Sequence, residues 1–445
     1  MIVPRARLLF WFSVAGIPLA AFAAVRPVAG IPLAIGLAVV AADAILSRKA
    51  LAGIAVSVDP TIRLTAGRES SIDLSLLRSS RPAPTRLRLL VPLPSELGGQ
   101  MEPIPVALPS DADRARLSWP CHPRRRGRYA IDRVCLETAS RLEFWSVRRC
   151  LTCRAELRVY PNLLGERRAV ASIVLRRALP GVHSVRQVGK GRDFEKLRDY
   201  VPGDSSDDIH WKATAKRAHP VTKVFQIERT QEIYAVLDAS RLSGRPVPSG
   251  RGDSIETEAL DGSVVASLML ALATQRQGDL FGLVAFTDRI TQFLRARNGR
   301  VHFNACRDAL FALEPQTVSP DFDEVAAFLR LRLRRRALLV FFTDLDDPAL
   351  AESFARNAEA LARQHIVLVA MRRPRNAEPL FGPGSAVSDI DDIYRRLAGH
   401  LSWQSLRELE RVLGHHGVSL ALLDDERLAS GVIGRYLEIK QRQAL

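Results

Sequence analysis

The chain lacks three signatures of common enzyme classes. It has no Gly-rich phosphate loop: Gly189-Lys190 lacks a suitably spaced glycine before it and a serine or threonine after it, so any nucleotide energy must come from a partner. It has neither His-Glu-x-x-His nor Gly-x-Ser-x-Gly, which leaves a zinc peptidase or a serine hydrolase without support. Cysteine is scarce, with five in 445 residues, at positions 121, 135, 150, 153 and 306. An odd count at irregular spacing argues against a disulfide scaffold and for a reducing compartment. Cys150 and Cys153 have zinc-ligand spacing, but no second pair follows at ribbon distance, and the expectation is an incidental pair on a strand. Negative charge is also short: 64 Lys and Arg against 48 Asp and Glu leave +16, which favours an acidic partner such as anionic lipid, nucleic acid or an acidic protein surface.

What is present begins at the first residues. Two apolar runs, from Leu8 to Val25 and from Val28 to Leu46, are each about as long as a bilayer-spanning helix, and only Asp43 interrupts the second. Arg5 and Arg7 precede the first run and Arg48-Lys49 follow the second, so the positive-inside rule puts both flanks in the cytoplasm. The expectation is a hairpin of two transmembrane helices over residues 1–49, turning at Arg26-Pro27, in the inner membrane of a cell, with the bulk of the chain cytoplasmic. The rival is a signal peptide cleaved near Ala21-Phe22-Ala23. Even then the second run would stop transfer and keep the body inside. Asp43 lies close enough to the interface to reach headgroups.

Residues 50–160 read as short alternating runs broken by Pro and Gly, such as Ser71-Ile-Asp-Leu-Ser-Leu76 and Arg128-Tyr-Ala-Ile-Asp-Arg-Val-Cys-Leu136, which predicts a small all-β sandwich. Ten arginines against four acids between Cys121 and Arg158 make it basic. Residues 161–231 form a connecting segment. In it Leu197 and Tyr200, three apart, are expected on one helical face, with Pro202-Gly203 ending that helix and Trp211 opening a second element. From Glu232 onward, near-continuous apolar strands alternate with amphipathic helices, which predicts a parallel sheet covered on both faces over residues 232–445.

Ligands of such a sheet bind beyond the carboxyl ends of its strands, and two strands end there in acids, Val236-Leu-Asp238-Ala-Ser240 and Phe342-Thr343-Asp344. Carboxylates and hydroxyls suit Mg²⁺ or Mn²⁺ better than zinc. The spacing resembles the metal-ion-dependent adhesion site of von Willebrand factor A domains, Asp-x-Ser-x-Ser, then a Thr, then an Asp after a later strand. Asp238, Ser240 and Asp344 match; Leu242 stands at the second Ser, and Thr317 or Ser319, in the loop before Asp321, are the candidates for the Thr. The resemblance implies a degenerate metal site. The plainer reading is that both acids cap turns through backbone N–H groups.

The connecting segment narrows the match. Gly191, Leu197-Arg198-Asp199-Tyr200, Gly203-Asp204 and Ile209-His210-Trp211-Lys212 follow in order the pattern of the domain-of-unknown-function family 58, with Asp193 for its usual Glu and His210 for its usual Asp. That resemblance implies a membrane-tethered, non-enzymatic scaffold of the MoxR-associated type. Its expected partners are a MoxR-type AAA+ ATPase, client proteins and membrane lipid, and it binds no nucleotide itself. Tyr200 and Trp211 are expected to clasp the segment against the first strand of the α/β domain, with Asp204 and Lys212 fixing its turns. The alternative is a nucleic-acid-binding membrane protein using its arginines.

Overall fold

The structure is a computed structural model of the 445-residue chain, and it describes residues 1–25, 30–78, 86–100, 102–108, 114–166, 188–201, 206, 209–226, 231–248, 256–374, 377–380 and 389–442. The chain divides into two compact units, Met1–Asn162 and Leu163–Leu445.

In the first unit the apolar runs are helical. Ala6–Trp11 and Ile17–Val25 are joined by a π-helical turn, Phe12–Gly16, and the second run forms Gly30–Ser47. Only Gly30–Ser47, among the described residues, is long and apolar enough to cross a membrane; Ala6–Phe22 is apolar but shorter. The expected pair of spans is thereby reduced to one that meets the length criterion, and the expected turn at Arg26-Pro27 lies outside the described residues.

The rest of the unit is two sheets around one core. Ile54–Val58, Ser70–Arg78 and Arg114–Cys121 make a three-stranded sheet. The larger sheet is built on the long antiparallel hairpin Gly127–Ala139 and Trp145–Tyr160. Ile72, Leu74 and Leu76 point inward while Ser71, Asp73 and Ser75 alternate outward, and they meet Leu89, Trp119, Leu136 and Leu157 in the core. In the hairpin Cys135 lies directly opposite Cys150, and the two form a disulfide. This corrects the expectation drawn from the cysteine count, because an odd total excludes complete pairing but not one bridge between facing strands.

In the second unit the connecting segment departs from expectation. Val188–Asp199 is a strand, not a helix, and pairs antiparallel with Val221–Gln226, placing Leu197 opposite Lys223 and Asp199 opposite Val221. The spacing of Leu197 and Tyr200 was too short a stretch to fix a period, and a partner strand some twenty residues on decides it. The element expected to open at Trp211 is a helix, Trp211–Arg217.

The α/β domain follows, with six strands numbered here in chain order: β1 Glu232–Asp238, β2 Leu280–Phe286, β3 Ile290–Arg297, β4 Ala337–Phe342, β5 Ile366–Arg372 and β6 Val418–Leu423. They lie in the order β3-β2-β1-β4-β5-β6. All neighbours are parallel except β2 and β3, an antiparallel edge hairpin that the alternating strand-helix pattern did not foretell. β4, Ala-Leu-Leu-Val-Phe-Phe, is buried along its whole length because helices cover both faces. On one face Ile233, Ala235 and Leu237 of β1 pack with helices Ala259–Arg276, Arg300–Leu310 and Leu428–Gln441. On the other, Tyr234 and Val236 pack with Phe322–Arg332, Pro348–Ala362 and Ile390–His415.

Candidate functional site at the carboxyl edge of the sheet

Pairing of β1 with β4 brings the two expected acids to the same edge. Asp238 ends β1 and is buried; its Oδ1 accepts the Ser240 amide at 2.8 Å and its Oδ2 accepts the Thr343 hydroxyl at 2.6 Å. Ser240 is fully buried, and its Oγ accepts the Leu242 amide at 3.4 Å as the cap of a short 3₁₀ turn. Thr343, immediately before Asp344, thus couples the two strand ends, a role that sequence reasoning did not assign to it. Burial pushes the Asp238 carboxyl up, opposed by the hydrogen bonds from Ser240 and Thr343.

The loop that carries the remaining candidates is drawn alongside. The Gln316 amide donates to the Ala239 carbonyl at 2.8 Å, and the Arg241 amide to Val318 at 2.9 Å. Ser319 is exposed and accepts Arg241 Nε at 3.2 Å, while Thr317 is exposed. Asp321 then caps the next helix through the amides of Asp323 and Glu324.

Asp344 has a different environment. Burial pushes its carboxyl up to about 6, Asp346 adds to that push, and Arg372 and Arg245 pull against it. Arg372 closes β5. Its guanidinium binds Asp425 at 3.0 Å, Ser263 Oγ at 3.2 Å and the Ala259 carbonyl. Arg245 pairs with Asp346 at 3.0 Å. Sequence reasoning searched this edge for acids and passed over Arg372, although an arginine directly after six apolar strand residues, at the edge where ligands bind, was a legible signal.

The donor set does not fit Mg²⁺ or Mn²⁺, which need about six oxygens. Both Asp238 oxygens hold internal hydrogen bonds, the buried Leu242 stands where a second hydroxyl is needed, and a guanidinium lies beside Asp344. Among the described residues no group of three or more His, Cys, Asp or Glu is arranged to hold a metal ion.

The connecting segment is also clear in part. His210 caps the helix Trp211–Arg217: its Nδ1 accepts the Ala213 amide at 3.0 Å, the bond an Asp at that position would make. Ile209 bridges to Thr222. Gly191, Leu197 and Arg198 lie on the strand, whereas Gly203 and Asp204 lie outside the described residues. Trp211 is 70% exposed and Tyr200 37%, so the expected aromatic clasp is not formed, and Lys212 is exposed beside them.

Several known proteins are similar to parts of this chain. Uncharacterised proteins of Mycobacterium tuberculosis and Mycobacterium bovis are 26% identical over 193 residues, which is 43% of this chain and 58% of theirs. The chain thus spans less than two thirds of those relatives. Among solved structures, the conserved hypothetical protein BatB from Bacteroides thetaiotaomicron matches with a TM-score of 0.31 and 13% identity, over 48% of this chain and 99% of that one. An aerotolerance-related membrane protein from Bacteroides fragilis matches with a TM-score of 0.30 and 14% identity, over 47% and 98%. Scores this low carry no inference here. The match that bears on the connecting segment and the carboxyl edge together is to the family described as Protein of unknown function DUF58, over residues 196–391.

Proposed function

We propose that the chain is a membrane-anchored, non-enzymatic scaffold. Its von Willebrand factor A-like domain docks a MoxR-type AAA+ ATPase, or a client protein, through the carboxyl edge of the sheet. The observation that carries the reading is the cost built into that edge: burial holds the Asp344 carboxyl up at about 6 beside the half-buried guanidinium of Arg372. Natural proteins retain such local expense at working surfaces. The sheet order, with its antiparallel β3, and the family match support the domain type. The exposed Trp211 and Tyr200 of the connecting segment are the residue types that anchor partners. The full chain in detergent, titrated with the purified ATPase, tests this. Asp344→Ala should weaken binding by about tenfold or more, and a metal chelator should leave it unchanged. Unaltered affinity in Asp344→Ala would refute docking at this edge, and loss on chelation would return the site to a metal.

A second reading, nucleic-acid binding, has one specific observation in its favour. On the larger sheet of the first unit Arg63, Arg158 and Arg128 lie opposite one another across three strands, and the Glu156 carboxylate pairs with Arg128 at 3.0 Å and with Arg158 at 2.9 Å. Like charges in register destabilise a sheet unless an anion meets them. Filter binding that showed no salt-sensitive retention would remove this reading.

A further inference from the structure

Asp43 is the one ionisable residue within Gly30–Ser47, and it is almost wholly buried. What buries it is the loop of the long hairpin, residues 140–144. Its Oδ2 accepts the Ser140 hydroxyl at 2.6 Å and its Oδ1 accepts the Leu142 amide at 3.3 Å. Trp145, where the hairpin resumes, donates its indole N–H to the Val40 carbonyl at 3.0 Å. The start of the first apolar helix grips the same loop: the Arg5 amide donates to the Phe144 carbonyl at 2.9 Å, and Arg7 pairs with Glu143.

These bonds set a depth. Asp43 and Val40 precede Ser47 by four and seven residues, which at 1.5 Å per residue is about 6 and 10 Å along the helix. A loop fastened at that level stands beside the apolar helix, not beyond its end. Irregular backbone is tolerated at such depth only when its polar groups are satisfied by protein, and Asp43 supplies that by accepting the Leu142 amide and the Ser140 hydroxyl. Leu142 itself remains 48% exposed, and Ile45 and Leu46 of the helix are exposed as well. Arg48, Lys49 and Arg141 are exposed around the same junction.

We propose that residues 140–144 form a further membrane contact, seated in the interfacial layer and binding anionic phospholipid headgroups through Arg48, Lys49 and Arg141. Leu142 supplies the apolar tip, and Asp43 is the latch that holds the loop against the helix. This rests on Gly30–Ser47 spanning a bilayer, as the scaffold reading requires. Basic residues at such a junction attract anionic lipid.

The test is tryptophan quenching in the full chain reconstituted into vesicles that contain either brominated phosphatidylcholine or brominated phosphatidylglycerol. Leu142→Trp should add emission that brominated chains quench, at least about twofold more strongly for phosphatidylglycerol. Changing Arg48, Lys49 and Arg141 together to Gln should abolish that preference. Trp11, in the first apolar helix, reports membrane insertion independently through the difference that Trp11→Phe makes. Quenched Trp11 emission with unquenched emission from the Leu142→Trp variant overturns the proposal and leaves the membrane reading standing. Loss of both signals overturns the membrane reading itself. Equal quenching by the two lipids overturns the headgroup preference.

Discussion

Replacing Asp344 by Asn separates a carboxylate kept for work from one kept for structure. Burial raises its carboxyl from the ordinary 3.8 to about 6. The folded state therefore holds that proton more tightly than the unfolded chain does, so this group's contribution is present below pH 3.8 and is lost as the pH rises to about 6. At about 1.4 kcal/mol per pKa unit, the full shift costs about 3 kcal/mol at neutral pH. The partial exposure of Asp344 cuts this to about half. Asp344→Asn is thus expected to be more stable than the parent at pH 7 by about 1–2 kcal/mol, or a few degrees in Tm. The advantage should vanish at pH 4. Thermal unfolding of the full chain in detergent at both pH values measures it. A variant destabilised at pH 7 by the roughly 3–5 kcal/mol of a broken buried pair would refute the reasoning, since Asp344 would then be a structural counterion of Arg372.

Two further predictions concern the frame. At the amino edge of the sheet the buried Asp279 accepts Lys440 Nζ at 2.6 Å and the Tyr436 hydroxyl, tying the last helix to the start of β2. Lys440→Met should cost about 3–5 kcal/mol by leaving that carboxylate with less compensation, and an unchanged denaturation midpoint would sink the idea. Gly282 lies opposite Tyr234 in register, and a Cβ there would come within 2.2 Å of the ring. Gly282→Ala should cost about 1–3 kcal/mol by overpacking, read as a lowered Tm, whereas a neutral result would mean that the ring swings aside freely.

The α/β domain was legible because its strands are buried on both faces and so read as apolar runs, as Ala337–Phe342 does. The acids at 238 and 344 were legible because topology alone puts strand ends at one edge. What escaped depended on pairing between distant strands. Val188–Asp199 takes its form from Val221–Gln226, which no local period announces. The hairpin register that sets Ala139 opposite Ser146 also sets Cys135 opposite Cys150, so the register contained the disulfide; counting cysteines could not reveal it. The aromatic pair at Tyr200 and Trp211 was expected inside because aromatics usually are, yet side-chain type does not determine which face of a short helix is covered. Asp43 looked like a residue reaching for headgroups, and its partner was instead a loop 97 residues away.

The sheet order also fixes when the candidate edge comes into being. β1 occupies a central place, but the strand completing its other side arrives late: Asp238 and Thr343, joined by one hydrogen bond, are 105 residues apart. A ribosome adding about 5–20 residues per second needs roughly 5–20 s to make that stretch. Throughout that interval the nascent chain carries β1 with an unsatisfied flank, open to mispairing with other strands. The carboxyl edge around Asp238 and Thr343 is accordingly assembled after β2 and β3 are already available, and one half of it emerges from the ribosome well before the other half exists.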